Sequence, residues 1–79
     1  MLTPDTCRAA RALVSMSQSE LATKAKVSES TVRNFEAERN APVPNNLSAL
    51  LKVLEDAGVI FFGAGEAPSG GGPGVRLRK

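Results

Sequence analysis

The chain has 79 residues, 42% of them hydrophobic, and carries 10 basic and 8 acidic side chains for a formal net charge of +2. That length fits one small domain, and the near-neutral balance means that any nucleic-acid surface must come from local placement of cations rather than from bulk charge. Histidine is absent and Cys7 is the single cysteine; this removes the commonest general base, the commonest metal ligand and any intrachain disulfide or cysteine-based metal cluster, so no enzyme activity, metal or cofactor is expected.

Thr3-Pro4-Asp5 is a helix start: Thr3 can cap, Pro4 suits the first helical position, and Asp5 suits the positive end of the helix dipole. A first helix is predicted over Asp5 to Met16, with Cys7, Ala10, Leu13 and Val14 at helical spacing and Cys7 as a small core residue. Ser17 followed three residues later by Glu20 is a capping box, and predicts a second helix from Gln18 to Ala25. Ser28 caps a third, Glu29 to Ala37. Pro42 and Pro44 break the chain, and Asn45 or Asn46 is expected to cap a fourth helix from Leu47 to Ala57, whose Leu47, Leu50, Leu51 and Leu54 form one stripe. Gly58 is placed to end it in a left-handed turn. Val59–Phe62 is β-branched and aromatic, and Gly74-Val75-Arg76-Leu77-Arg78 alternates apolar and basic, so both are predicted strands. Between them residues 63–74 are a Gly/Ser/Pro connector, which lacks the Lys-Ser/Thr pair and the following helix of a phosphate-cradling P-loop.

The stretch from Gln18 to Ala37 is the most informative. Small or apolar residues fall at Leu21, Ala22, Ala25, Val27, Val32 and Phe35, with polar residues between. Two short amphipathic helices crossing steeply at a tight turn, one of them free to enter a DNA groove, would need this pattern. Counting Gln18 as the first position, Ala22 is the fifth, where the helices approach most closely and the residue must be small. Val27, Val32 and Phe35 fill the space between them.

This spacing resembles the helix-turn-helix of the lambda-repressor-like (Xre/Cro) family of bacterial and phage regulators. Arg-Ala-Ala-Arg-Ala-Leu-Val ahead of Ser-Gln-Ser-Glu-Leu-Ala resembles that family's first helix, and Phe35-Glu36 followed by Arg39 and Pro42 its exit from the third. The likeness covers about residues 5–57; the tail, Ala57 to Phe62 and Gly-Pro-Gly-Val-Arg-Leu-Arg, is similar in a looser way to small Xre-type proteins. The chain departs from the pattern at Lys26, where the family usually has Gly because the turn needs positive φ; a non-Gly residue there costs on the order of 1 kcal/mol.

The resemblance implies a mainly α fold, a four-helix lambda-repressor-like DNA-binding domain over residues 1–57, with a short two-stranded β appendage over 58–79. It implies base reading by Glu29, Ser30, Thr31, Arg33 and Asn34. Asn34 suits adenine, Arg33 suits guanine or a phosphate, and Glu29 suits a cytosine amine or merely the helix start. It implies a phosphate contact from Gln18 at the N-terminus of the second helix. Ser28 and Arg8 are further candidates for phosphates, and Lys24, Lys26 and Arg39 are either phosphate contacts or solvated charges. Arg11 and Glu36 resemble a family ion pair between the first and third helices.

The expected function is sequence-specific binding of double-stranded DNA by a transcriptional regulator that controls its own or a neighbouring promoter. One recognition helix contacts few bases, so a homodimer on a palindromic operator is expected, joined through Val59, Phe61, Phe62, Val75 and Leu77. Phe61 and Phe62 point to opposite faces of a strand, so one of them needs a partner to cover it. The alternatives are an antitoxin, whose tail would neutralise a toxin, and a protein-interaction module that keeps the fold without binding DNA. A polymerase or toxin partner is compatible with either DNA-binding reading. Arg76, Arg78 and Lys79 are either a solubilising end or a further phosphate-contacting arm. No window approaches the ~18 apolar residues of a membrane span and no signal-peptide pattern opens the chain, so a cytoplasmic protein with no membrane partner is expected.

Overall fold

The computed structural model describes residues 2–63, 65 and 72–78. Four helices, α1 (Pro4–Leu13), α2 (Gln18–Ala25), α3 (Glu29–Glu36) and α4 (Pro44–Asp56), precede an antiparallel hairpin of β1 (Val59–Phe62) and β2 (Gly74–Leu77). The predicted class is thus the observed one: mainly α with a two-stranded appendage. Much of the Gly-rich connector and Lys79 lie outside the described residues.

Three helices begin on side-chain caps. Thr3 accepts from the Thr6 N–H while the Thr6 hydroxyl accepts from the Thr3 N–H, a capping box closed by Thr rather than Glu or Gln. Ser17 and Glu20 close theirs at 2.9 and 3.0 Å. Ser28 accepts from the Thr31 N–H at 3.1 Å. The fourth start differs from expectation: α4 begins at Pro44 behind Val43, which offers no side-chain cap, and not behind Asn45 or Asn46. Pro44 takes the first helical position, where its fixed φ is already helical and its missing N–H has no partner to lose.

The first three helices end alike, and sequence reading anticipated only one of those ends. Ser15, Lys26 and Glu38 sit in the left-handed region at φ +54, +60 and +61. After α1 the Met16 N–H reaches the Arg11 carbonyl at 2.9 Å, after α2 the Val27 N–H reaches Ala22 at 3.0 Å, and after α3 the Arg39 N–H reaches Asn34 at 2.8 Å. These are the long bonds of Schellman turns, built three times without glycine. The turn at Ser15 also explains why α1 stops at Leu13 and not at Met16. Gly58, at φ +109, leads from α4 into β1.

The core takes one stripe from each helix: Cys7 and Ala10 of α1, Leu21, Ala22 and Ala25 of α2, Val32 and Phe35 of α3, Leu50 and Leu54 of α4. Leu2 and Val59 close its ends, and Val27 and Leu47 pack against it half-buried. The hairpin register pairs Val59 with Leu77, Ile60 with Arg76, Phe61 with Val75 and Phe62 with Gly74. One sheet face therefore carries Val59, Phe61 and Val75 onto the helices, and the other carries Ile60 and Phe62 outward. Among the described residues no helix is long and apolar enough to cross a membrane, and no three His, Cys, Asp or Glu side chains gather in a way that suits a metal ion.

Candidate nucleic-acid interface

The turn between α2 and α3 sets the geometry. Lys26 in the left-handed conformation (φ +60, ψ 42) reverses the chain, and extended Ser28 (φ −73, ψ 151) starts α3 two residues later. Ala22 and Ala25 are small and buried where α2 meets α3. The expected departure at the ninth position is thus accommodated in the same backbone conformation that glycine would adopt, with the Lys26 side chain exposed.

Helix α3 buries Val32, Phe35 and Glu36 and turns its other side outward. Glu29, Ser30 and Arg33 are exposed, and Thr31 and Asn34 are half-buried at the edge. Arg33 Nη1 lies 3.8 Å from Glu29 Oε2 one turn earlier. The hydroxyl of Ser28 lies 2.7 Å from that of Thr31 and 3.1 Å from that of Ser30, so these three side chains organise the helix start as well as facing outward. A groove of about 240 Å³ runs from Ser30, Thr31 and Asn34 to Asn40, Pro42, Val43 and Asn46. It joins α3 to the start of α4. Val43 is 60% exposed in it. Asn40, Val43 and Asn46 were not among the expected site residues. Their sequence signal is two prolines with asparagines on either side, which marks a loop and a helix start but not the face they lie on.

Behind α3, the Glu36 carboxylate is the meeting point of three helices. It is 3% exposed. Arg11 donates from Nε to Oε2 at 2.7 Å and from Nη2 to Oε1 at 2.6 Å. Gln18 Nε2 donates to Oε1 at 3.0 Å, and the Cys7 thiol donates to Oε2 at 3.1 Å. Burial alone would raise the Glu36 pKa, but the hydrogen bonds from Arg11, Gln18 and Cys7 and the Arg11 charge hold it below the ordinary glutamate value. Burial, then the hydrogen bond and charge of Glu36, push the Cys7 thiol well above its ordinary value. Arg11 also donates to the Met16 carbonyl at 3.0 Å, tying the group to the end of α1.

The cations expected at phosphates fall in different places. Arg8 is not free: its Nη1 donates to the Glu36 carbonyl and its Nη2 to Asp5. It satisfies a carbonyl in the last turn of α3, a place where helix ends lack internal partners. Lys24 lies with Met16, Val53, Asp56 and Ala57, on the side of α2 that meets α4 and not beside α3. Lys26 and Arg39 are exposed at the two ends of α3, in the turns before and after it.

The residues expected to join two copies divide as well. Val59 is 2% exposed and belongs to the monomer's own core, so it has no surface left for a partner. Phe61 and Val75 pack against that core from the inner sheet face. Phe62 lies on the outer face under Arg76, whose guanidinium carbon is 5.7 Å from the ring centroid. Leu77, the cross-strand partner of Val59 on the inner face, is 39% exposed. Ile60, which the sequence pattern does not single out, shares the outer face with Phe62.

The helix-turn-helix family model matches residues 8–55, more than half of the chain. No curated protein matches the chain. The matched segment begins within α1 and ends within α4, and so contains the left-handed turn at Lys26, the Arg11, Gln18 and Glu36 side chains of the buried cluster, and the outward face of α3. With its four helices in this arrangement, the chain belongs to the helix-turn-helix family of Xre and lambda-repressor type, a family of DNA-binding transcription regulators.

Proposed function

We propose that the chain is a homodimeric, sequence-specific transcriptional regulator that lays α3 in the major groove of a palindromic operator, at its own or a neighbouring promoter. The observation that carries this reading is the exposed polar face of α3 beside the Asn-lined groove. Asn34, Arg33 and Ser30 present there the donors and acceptors that base edges distinguish. Glu29 and Thr31 flank them. The Glu29 carboxylate stands 3.8 Å from Arg33 Nη1 on the solvent-exposed helix face, a contact that a base or phosphate can replace.

We assign phosphate contacts, which fix register without reading sequence, to Gln18 at the start of α2 and to Lys26, Ser28 and Arg39 near the ends of α3. Asn40 and Asn46 extend the same surface along the strand. Arg8 is engaged with Asp5 and the Glu36 carbonyl, and Lys24 stands on the side of α2 that meets α4, so neither is assigned to this surface. The second copy covers the outer sheet face of Ile60 and Phe62 and brings a second α3 to the next major groove, about 34 Å away.

Fluorescence anisotropy with a mixed-sequence duplex and with the chain's own upstream region tests the reading. Affinity for both should fall steeply with salt, because phosphate neutralisation releases counterions. The upstream region should be held more tightly at every salt concentration, with two chains bound per site. Absence of binding at low salt contradicts the reading.

A further inference from the structure

The buried carboxylate of Glu36 touches one group of the proposed DNA surface. That group is the Gln18 side-chain amide, whose Nε2 lies 3.0 Å from Glu36 Oε1. A carboxylate only accepts, so this contact fixes which way the amide faces: nitrogen toward Glu36, oxygen away. One N–H remains for a second acceptor. Gln18 is also the first residue of α2 and is half-exposed, while Glu36 is not.

Two features make the hold firm. Arg11 grips both oxygens of the carboxylate, at 2.7 and 2.6 Å, so Oε1 is fixed before Gln18 reaches it. The same grip offsets the negative charge, so an anion approaching Gln18 meets a neutral pair and not a bare carboxylate.

We propose that Glu36 is a positioning residue for DNA binding: it holds the Gln18 amide so that the second N–H of that amide points to a backbone phosphate at the start of α2. The proposal rests on Gln18 being a phosphate contact. Glu36 itself touches no DNA. Fixing the amide in advance removes the rotamer freedom that a free glutamine would lose on binding. It also links the α1–α3 ion pair to the DNA surface through one side chain.

Electrostatics and positioning predict opposite signs for Glu36→Gln. Removing a negative charge should tighten binding to a polyanion, whereas loss of positioning should weaken it. Binding to a mixed-sequence duplex at one fixed salt concentration is measured for wild type, Gln18→Ala, Glu36→Gln and the double variant, with thermal melting alongside. Gln18→Ala should weaken wild-type binding about fivefold, equivalent to ~1 kcal/mol. Glu36→Gln should weaken it to a similar degree despite the added positive charge, and Gln18→Ala should then cost less than about twofold in the Glu36→Gln background. An undiminished effect of Gln18→Ala in both backgrounds, or tighter binding by Glu36→Gln, overturns the positioning role alone. No effect of Gln18→Ala in wild type overturns the phosphate contact and the positioning role with it.

If Glu36→Gln does not fold, side-chain amide resonances of the wild-type protein answer the question. On adding the duplex one Gln18 amide proton should shift and the other, on Glu36, should stay. Movement of both overturns the positioning, and movement of neither overturns the contact.

Discussion

Arg11 and Glu36, on α1 and α3, form a two-pronged ion pair in which the arginine Nε and Nη2 meet opposite oxygens of a carboxylate sealed from solvent. The pair joins the helix before the helix-turn-helix to the end of its second helix, so the position of α3 depends on it. A buried charge left without its partner is far more costly than the pair is stabilising.

Glu36→Ala or Arg11→Ala should therefore lower unfolding stability by about 3–5 kcal/mol, read by urea denaturation at neutral pH. Replacing both together, Arg11→Met with Glu36→Leu, should recover much of that loss, because no uncompensated charge remains. Single variants within ~0.5 kcal/mol of wild type would contradict this account of the pair.

The same carboxylate gives stability an acid limb. Glu36 is held below its ordinary value in the folded chain, so its contribution is complete above the unfolded glutamate pKa of about 4.3 and is lost as pH falls through the lower folded value. Glu20 is lowered in the same direction by the Ser17 backbone N–H and then its hydroxyl. Urea midpoints should be level between about pH 5 and 7 and fall below about pH 4.3. In Glu36→Gln the acid limb should be shallower than in wild type.

Cys7 sets the opposite limb. Its thiol is buried against Glu36 and held above the ordinary value, so its contribution is complete below the unfolded thiol pKa of about 8.5 and declines as pH rises beyond it. Thiol-reagent labelling at pH 8 should follow unfolding, rising with urea in step with loss of helicity. Rapid labelling of the folded chain would show the thiol to be accessible and contradict its burial.

Lys26 and Glu38 hold left-handed turns that glycine adopts without strain. Lys26→Gly and Glu38→Gly should each raise stability by up to about 1 kcal/mol, seen as a higher melting temperature. Lys26→Val should lower it, because a β-branched residue fits that conformation poorly. The reverse order of Gly and Val would contradict the turn geometry.

The parts of the fold legible in the sequence were those set by neighbours in the chain. Ser17 with Glu20, Ser28 at the head of α3 and the alternation of Val75 to Arg78 each declare themselves within a few residues. The turns at Ser15 and Glu38 do not, because neither residue type announces positive φ; both are stabilised by the bonds they close. Arg8 illustrates the tertiary limit. From the sequence it is a free cation on α1, and only the arrival of α3 brings the Glu36 carbonyl to it. The same holds for the bond from Gln18 to Glu36 and for the groove at Asn40, Val43 and Asn46, which exist only once α3 and α4 are docked.

The central claim is that α3 reads DNA, and the most direct measurement is the affinity of Asn34→Ala and Arg33→Ala for the duplex that the wild-type protein selects from a random-sequence library. Each variant should lose about 1–3 kcal/mol on the selected duplex. Asn34→Ala should bind a mixed-sequence duplex much as wild type does, and both should melt within a few degrees of wild type, since neither side chain is in the core. Selection of no sequence, or wild-type affinity of both variants for the selected one, would contradict the claim that α3 is the reading helix.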